Sequence, residues 1–199
     1  DPAACFKVNG GTYVHLTTAT NNPLPSVPQR WMQLTGAAMG WWSRGPNNHL
    51  SRVEAVSNSL WGVLINNGLN SSNNLIENCL IRDAQDTASG VGMYNGSPRT
   101  VIANCTFAGK AKYGLRLVSA TQTWLQNNIF TATGGGNYAL NKDVNSTLSF
   151  SDFNLFSVTN GASTAVYNGL PQATLAAWRS VSGRDASSLE RWASAGGHP

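Results

Sequence analysis

Tyr94, Arg116, Asn141 and Tyr167 are the residues whose chemistry stands out in the middle of this 199-residue sequence. Each follows an apolar neighbour in a short alternating segment, so the four side chains are predicted to form one outward row that begins at Leu64. Aromatic faces stack on sugar rings, and an arginine pairs with a carboxylate through two parallel hydrogen bonds. The row therefore fits a strip that binds an acidic polysaccharide, while Tyr and Arg also occur on the ordinary solvent face of a sheet.

Charged residues beside this row indicate a second chemistry. An enzyme that abstracts a proton from a uronate needs a base and a group or cation that neutralises the carboxylate. Arg116 and Lys142 are the candidates for the base. Asp83, Asp86 and Asp143 are the candidates for binding a cation such as Ca²⁺.

Other catalytic sets are not expected from the sequence. A glycosidase needs two carboxylates about 5–9.5 Å apart, and the outward positions offer only Glu77, on a different segment. His15, His49 and His198 are far apart in sequence and in the turns assigned to them, which argues against a shared metal site. Asp152 is expected to serve a bend.

The candidate residues lie on a pattern that recurs with a period near 24. Its anchors Ile76 and Ile102 are 26 residues apart, and Leu125 follows after another 23. A second short segment follows each copy after a loop. A period of this length with two β segments per copy predicts a solenoid in which each copy is one turn. The copies are Asn74–Ile81, Thr100–Phe107, Thr123–Phe130 and, more loosely, Thr147–Phe156.

Asparagine and cysteine recur at matching places in these copies. Asn78, Asn104 and Asn127 fall at a bend, where stacked amides are predicted to form a ladder between turns. Cys79 and Cys105 would lie about 4.8 Å apart in successive turns. Stacked free thiols are favoured over a disulfide, because parallel side chains point the same way.

The N-terminal part is less regular. Thr12–Thr17 and Arg30–Thr35 share a pattern and are predicted strands, and the apolar Ala38–Trp42 is expected to cap or flank the open end of the stack. We therefore expect irregular first turns over residues 1–49 and regular turns over residues 50–168.

The C-terminal part changes character. Ala173–Val181 is predicted to form a short helix with Thr174 as N-cap and Gly183 as its stop. Such a helix would cover the last turn, whose strands otherwise present open edges. Residues 169–189 are therefore assigned to a cap, and residues 190–199 to a frayed tail.

Composition narrows the function classes. Charged residues make up only 11% of the chain, which together with many Asn, Ser, Thr and Gly favours an extracellular or cell-surface protein. The net charge of +4 comes from scattered basic residues, so nucleic-acid binding is not expected, whereas an acidic polysaccharide is favoured. No apolar run is long enough to span a bilayer. Because the chain opens on Asp1, we expect a processed chain or a piece of a longer one.

The ending Ser151–Leu189 carries the most specific resemblance. It reads SDFNLF, then AVYNG, then ATLAAWRSVSGRDASSL, and with the asparagine bends it resembles the right-handed parallel β-helix family, which includes pectate-lyase-like proteins. The resemblance covers Leu50 to Leu189 and implies that a groove lies on the outer surface of the sheet that holds Arg116. It also implies clustered acidic Ca²⁺ ligands for a lyase, which the outward row lacks.

We therefore predict one all-β domain over residues 1–189, a right-handed parallel β-helix of about five to seven turns with a short capping helix. The leading function is binding of a polysaccharide along one sheet, without an evident catalytic set. The alternatives are a polysaccharide lyase and a structural module of a surface layer, fibre or adhesin. No cofactor is evident, with Ca²⁺ expected only for a lyase. Other domains of a longer chain, or end-to-end self-association, are further expected partners.

Overall fold

A computed structural model describes residues 4–8, 14–17, 32–66, 68–82, 90–109 and 111–192. Asp83, Asp86 and His198 lie outside these residues, as do parts of the predicted N-terminal strands and the end of the predicted tail. The described chain winds into a solenoid of short parallel strands, which is the predicted all-β class.

Twenty-one strands are described, numbered along the chain. The first ten are β1 (Ala4–Val8), β2 (His15–Thr17), β3 (Met32–Thr35), β4 (Met39–Ser43), β5 (His49–Ser51), β6 (Val53–Val56), β7 (Trp61–Ile65), β8 (Leu75–Glu77), β9 (Leu80–Arg82) and β10 (Val91–Asn95). The others are β11 (Val101–Ala103), β12 (Thr106–Ala108), β13 (Tyr113–Leu117), β14 (Thr123–Gln126), β15 (Ile129–Thr133), β16 (Tyr138–Lys142), β17 (Leu148–Asp152), β18 (Leu155–Thr159), β19 (Ser163–Tyr167), β20 (Leu170–Gln172) and β21 (Leu189–Trp192). A 3-10 helix occupies Gly68–Ser71, and α1 occupies Leu175–Ser182.

Three sheets run along the solenoid, and each turn contributes one strand to each. The first sheet has the order β1-β4-β7-β10-β13-β16-β19-β20, the second β2-β5-β8-β11-β14-β17, and the third β3-β6-β9-β12-β15-β18-β21. Neighbouring strands are parallel, except that β20 folds back antiparallel on β19. Five consecutive full turns lie between Met39 and Thr159.

Each predicted repeat segment is two strands rather than one. Asn78, Asn104 and Asn127 separate the second-sheet strand from the third-sheet strand in their turns, with φ of 52°, 53° and 53°. This left-handed backbone is tolerated by asparagine better than by most residues. The predicted bend is therefore confirmed, and it raises the number of sheets from two to three.

The ladder of buried side chains lies one residue after the bend, not at the bend. The backbone N–H of Cys105 donates to Oδ1 of Asn128, and the N–H of Asn128 donates to Oδ1 of Asn154. The N–H of Asn154 then donates to Oγ of Ser188. Cys79 and Cys105 occupy this column as free thiols, as predicted, so the column changes from sulfur to amide along the stack.

The small residues at the start of the first-sheet strands pack tightly against the next turn. A Cβ on Gly92 would meet the carbonyl oxygen of Gly114 at 2.5 Å and Cγ2 of the core residue Ile81 at 3.5 Å. Gly92 therefore faces the interior, as does the buried Met93 that follows it. The close neighbour is the adjacent strand β13. Two consecutive inward residues interrupt the alternation of the strand.

The core is one continuous column of apolar side chains. Ile76 and Ile102 are fully buried, as predicted. Phe107, Phe130 and Phe156 stack on one another with ring centroids 4.9 and 5.2 Å apart. The segment predicted to flank the open end is instead the internal strand β4, between β1 and β7.

The C-terminal cap forms as predicted and extends further. α1 begins after the N-cap Thr174, whose side chain accepts from the N–H of Ala177, and it ends at Gly183 with φ 63°. Leu175 and Trp178 bury the inner face of α1 against the last turn. β21 then pairs with β18 and continues the third sheet through residues that were assigned to the tail.

Candidate ligand-binding face of the first sheet

Two ladders of side chains share the outer face of the first sheet. The central row is Trp42, Leu64, Tyr94, Arg116, Asn141 and Val166, and the lateral row is Met39, Trp61, Val91, Tyr113, Tyr138 and Ser163. Met39, Trp42 and Leu64 are buried and form an apolar cluster separate from the core. The half-exposed members of both rows from Trp61 to Asn141 are called the aromatic strip: Trp61, Tyr94, Tyr113, Arg116, Tyr138 and Asn141.

In each strand, a small residue and the apolar residue after it both face the interior, and this pair brings the two rows onto one face. Because Gly92 and Met93 both face the interior, the residues on either side of this pair face the same way. The contacts agree: the rings of Trp61 and Tyr94 are 6.3 Å apart, and the guanidinium carbon of Arg116 lies 5.4 Å from the centre of the Tyr113 ring.

The predicted outward row is correct for Tyr94, Arg116 and Asn141 and wrong at its last member. Val166, not Tyr167, pairs with Asn141 in the register of the first sheet. Tyr167 instead follows Lys142, packs against the core and meets the Trp178 ring edge-on at 5.9 Å. The inward neighbour in β19 is therefore Ala165, where we expected Val166.

Arg116 lies near the middle of the aromatic strip. Its ladder neighbours are Tyr94 on one side and Asn141 on the other, and the Tyr113 ring flanks its guanidinium. The Nε–H of Arg116 is buried and has no hydrogen-bond partner among the described residues. Burial raises the pKa of Tyr94, and the positive charge of Arg116 opposes this shift. The phenol therefore stays protonated and able to donate at neutral pH.

The two ends of the face differ in exposure. The ring of buried Trp42 lies under the ammonium of Lys7, which is 4.0 Å from the ring centre, and its indole N–H donates to Oδ1 of Asn66 at 2.8 Å. Further along the strip the rings of Tyr113 and Tyr138 are stacked at 5.6 Å. The flat rings available to a ligand are therefore those from Trp61 to Tyr138, not Trp42.

The described part of the face is positively charged. Lys7, Lys112 and Arg116 each lie over one of its aromatic rings. The described carboxylates other than Asp143 are engaged elsewhere. Glu54 pairs with Arg82, Glu77 hydrogen-bonds His49, Glu190 accepts from Thr164 and the N–H of Leu175, and Asp152 and Asp185 hold the cap.

Lys142 does not lie beside Arg116 on this face. Its ladder neighbours are Leu117 and Tyr167, which point to the other side of the first sheet. Its Nζ donates to the carbonyl of Asp143 and to Oδ1 of Asn168. Arg116 is thus the one of the two predicted bases that the fold places on the strip.

Asp143 is the one candidate for binding a cation whose surroundings the structure describes. The carboxylate of Asp143 accepts from the N–H of Ser119 and from Oγ of Ser146, so it serves a turn. Among the described residues no group of three acidic, histidine or cysteine side chains is placed to hold a metal ion. Asp83 and Asp86 lie outside those residues.

His15 and His49 are close together, contrary to the expectation from their sequence separation. They pair in the second sheet, and their rings stack at 4.0 Å, while Nε2 of His49 is 2.9 Å from Oε1 of Glu77. Parallel stacking places neighbouring turns in contact regardless of how many residues separate them. Asp152 serves a bend, as predicted, by accepting from the N–H groups of Phe153 and Ser187.

Trp61, Tyr113 and Tyr138 are site residues that the sequence reasoning missed. Each of them lies two residues before the inward apolar residue of its strand, which is Val63, Leu115 or Leu140 in turn. Strict alternation therefore assigns all three to the interior. A signal was present, since each of the three directly precedes the small residue of its strand, Gly62, Gly114 or Ala139 in turn.

Comparison with known proteins gives one match. A family model described as a right-handed beta helix region matches residues 35–175, more than two thirds of the chain. No curated protein and no solved structure matches the chain. Over the described residues, no helix is both long and apolar enough to cross a bilayer.

Proposed function

Because the chain belongs to the right-handed β-helix family, we propose that it is a pectate-lyase-like module that binds an acidic polysaccharide along the aromatic strip. An extracellular or cell-surface location is part of the same proposal and is supported by the low content of charged residues. The polymer would lie along the solenoid axis, crossing the strands of the first sheet.

The observation that carries the proposal is the setting of Arg116. Its Nε–H is buried without a partner, and leaving a buried donor of a charged group unpaired costs on the order of 1–3 kcal/mol. A carboxylate that reached the guanidinium from the outer face would neutralise the charge, and a rotation of the side chain that uncovered Nε–H would let the carboxylate accept this hydrogen bond. A uronate residue supplies such a carboxylate on a ring that can stack on Tyr94 or Tyr113.

The repeat of the fold suits a repeating ligand. Strands of a sheet are about 4.8 Å apart, so the strip from Trp61 to Asn141 extends over roughly 14 Å, which is three such steps. The nearby cations Lys7 and Lys112 add a positive field, which raises the local concentration of an acidic polymer.

Isothermal titration with polygalacturonate and with a neutral galactan tests this proposal. Arg116→Gln removes the charge and is expected to weaken polygalacturonate binding about tenfold. Tyr94→Ala removes one stacking surface and is expected to weaken it about fivefold. The matched control is Trp124→Ala, which removes an exposed ring stacked on Phe150 on the outer face of the second sheet.

The control distinguishes specific binding to the aromatic strip from non-specific binding to any exposed aromatic ring. Trp124→Ala should leave binding unchanged, and native binding should weaken as salt is raised. Equal losses in Trp124→Ala and Tyr94→Ala, or unchanged binding in both Arg116→Gln and Tyr94→Ala, would refute the assignment of the strip.

A uronate lyase is the second candidate, and Arg116 also favours it. A cationic side chain among aromatic rings, with no ion pair to a described carboxylate, is a candidate base that could act next to a bound uronate. The test is the absorbance of unsaturated uronate products from pectate and alginate, with and without added Ca²⁺. Absorbance that appears with the native chain and disappears in Arg116→Gln supports a lyase. If no polymer gives this absorbance, the lyase is excluded and polysaccharide binding is the remaining candidate.

A further inference from the structure

A cavity of about 330 Å³ lies at the C-terminal end of the solenoid. It opens where β16 turns into β17, and the end of β19 and the segment after α1 complete its walls. Its polar lining is formed by Lys142, Ser146, Thr147, Asn168, Ser182 and Arg184. The volume is at the lower end of the range for ligand sites in proteins, which is roughly 300–1,000 Å³.

The cavity exists because the second sheet ends at β17, whereas the first and third sheets continue to β20 and β21. After β19 the chain folds back as β20 and then forms α1, so no strand of the second sheet follows β17 in the part of the chain that the structure describes. The corner that the next turn would have filled is therefore left open above Lys142.

Lys142 stands in a column that is otherwise uncharged. The same register position holds Ile65, Asn95 and Leu117 in the preceding turns. Lys142 is only 8% exposed, and its ammonium lies 4.7 Å from the centre of the Tyr167 ring. Burial lowers its pKa, and the negative charge of Asp143 opposes this shift.

The ammonium of Lys142 keeps donor capacity for a ligand. Nζ donates to the carbonyl of Asp143 at 3.0 Å and to Oδ1 of Asn168 at 3.1 Å, and both acceptors are neutral. An ammonium has three N–H donors, so one remains. The nearest carboxylate, that of Asp143, is occupied by Ser119 and Ser146.

Arg184 supplies a second cation to the same cavity. One Nη2 hydrogen bond to the carbonyl of Leu148, at 2.7 Å, is the described contact of its guanidinium, which carries five N–H donors. No acidic side chain lines the cavity. The C-terminal end of α1 brings a partial negative charge of at most about one half, which two full positive charges outweigh.

We propose that this cavity binds an oxyanion, a carboxylate or phosphoryl group, carried by a hydroxylated molecule of about monosaccharide size. The anionic group lies between Lys142 and Arg184. Thr147, Asn168 and Ser182 face the hydroxyl groups. The site is separate from the aromatic strip and does not depend on the function proposed for the strip.

The test is thermal unfolding and titration of the full chain at constant ionic strength. The probes are potassium phosphate, galacturonate, neutral galactose, and chloride as the reference anion. Lys142→Met and Arg184→Gln are each expected to weaken binding of the anion about tenfold or more. The matched control is Arg191→Gln, because Arg191 is exposed on β21 and lines neither the cavity nor the aromatic strip, and this variant should bind the anion as the native chain does.

Stability of Lys142→Met without ligand shows whether the lysine serves the fold. Methionine fits a column that holds Ile65 and Leu117, so this variant should unfold at the native temperature or above it. Binding of galacturonate but not phosphate assigns a carboxylate, and the reverse assigns a phosphoryl group. An equal response to chloride, binding of galactose alone, or anion binding that survives in both cavity variants overturns the proposal.

Discussion

The indole N–H of Trp178 donates a 2.8 Å hydrogen bond to Oδ2 of Asp185, which has no exposed surface. The same carboxylate accepts from Oγ of Ser151, from Nδ2 of Asn154 and from Oγ of Ser188. One side chain thus joins α1 to the last strands of the second and third sheets. This network gives the Trp, Asp and Ser residues of the C-terminal ending a shared structural role.

Asp185→Ala is expected to destabilise the chain by about 3 kcal/mol, because four buried donors lose their common acceptor. Asp185→Asn keeps one oxygen acceptor and should cost less. Urea unfolding measures both. A loss in Asp185→Ala no larger than that in Asp185→Asn would mean that the carboxylate does not hold the cap.

Gly92→Ala is expected to destabilise the chain by about 1–3 kcal/mol, since its Cβ would meet the carbonyl oxygen of Gly114 at 2.5 Å. The control is Gly135→Ala, where the added Cβ meets nothing within 4 Å. That variant should be neutral or slightly stabilising. Equal unfolding midpoints for the two variants would contradict the close packing of the turns.

The folded chain should expose one reactive thiol out of three. Cys5 is exposed, whereas Cys79 and Cys105 are buried, and burial raises the pKa of the Cys105 thiol. A thiol-specific reagent should label Cys5 alone in buffer and all three in denaturant, and Cys5→Ser should abolish labelling of the folded chain. A single label in denaturant without reductant, carried by Cys5, would indicate a disulfide between Cys79 and Cys105.

The pairing of β2 with β5 is expected to weaken below about pH 6.5. Burial, followed by the neighbouring His49, lowers the pKa of His15, while Glu77 opposes the shift. A lowered folded-state pKa means that His15 favours the fold while neutral, and this contribution is lost as pH falls below the unfolded value.

Hydrogen-exchange protection of Leu16 at pH 7.5 and 5.5 measures this effect. The control His15→Phe keeps a ring on His49 but cannot titrate, so its protection should not change with pH beyond the ordinary dependence of exchange chemistry. The same pH dependence in that variant would show that another group is responsible.

The repeat could be predicted because the core requires apolar residues at the same position in every turn. Ile76, Ile102 and Leu125 are fixed by a core that admits apolar side chains at one spacing, and Asn104 marks a bend that needs left-handed backbone. The error at Tyr167 has a physical reason. β19 has two apolar neighbours, Ala165 and Val166, and lacks the inward glycine, so alternation alone does not fix its register.

Half of the candidate site was missed for a related reason. The lateral ring of Tyr113 joins Arg116 only because Gly114 and Leu115 both point inward, which breaks the two-residue period. The buried ladder likewise depends on which of the adjacent Asn127 and Asn128 faces the interior, and the structure places Asn128 there.

Because the cap covers the C-terminal end of the solenoid, extra turns can be inserted only before it. Trp178 and Asp185 terminate the stack there, so complete turns can be added only below the cap, for example by duplicating residues 91–112. Each added turn would lengthen the first sheet by about 4.8 Å without disturbing α1. The number of turns then sets the length of the outer face. The length of the shortest oligosaccharide that covers this face, under the proposed binding function, should increase with each added turn.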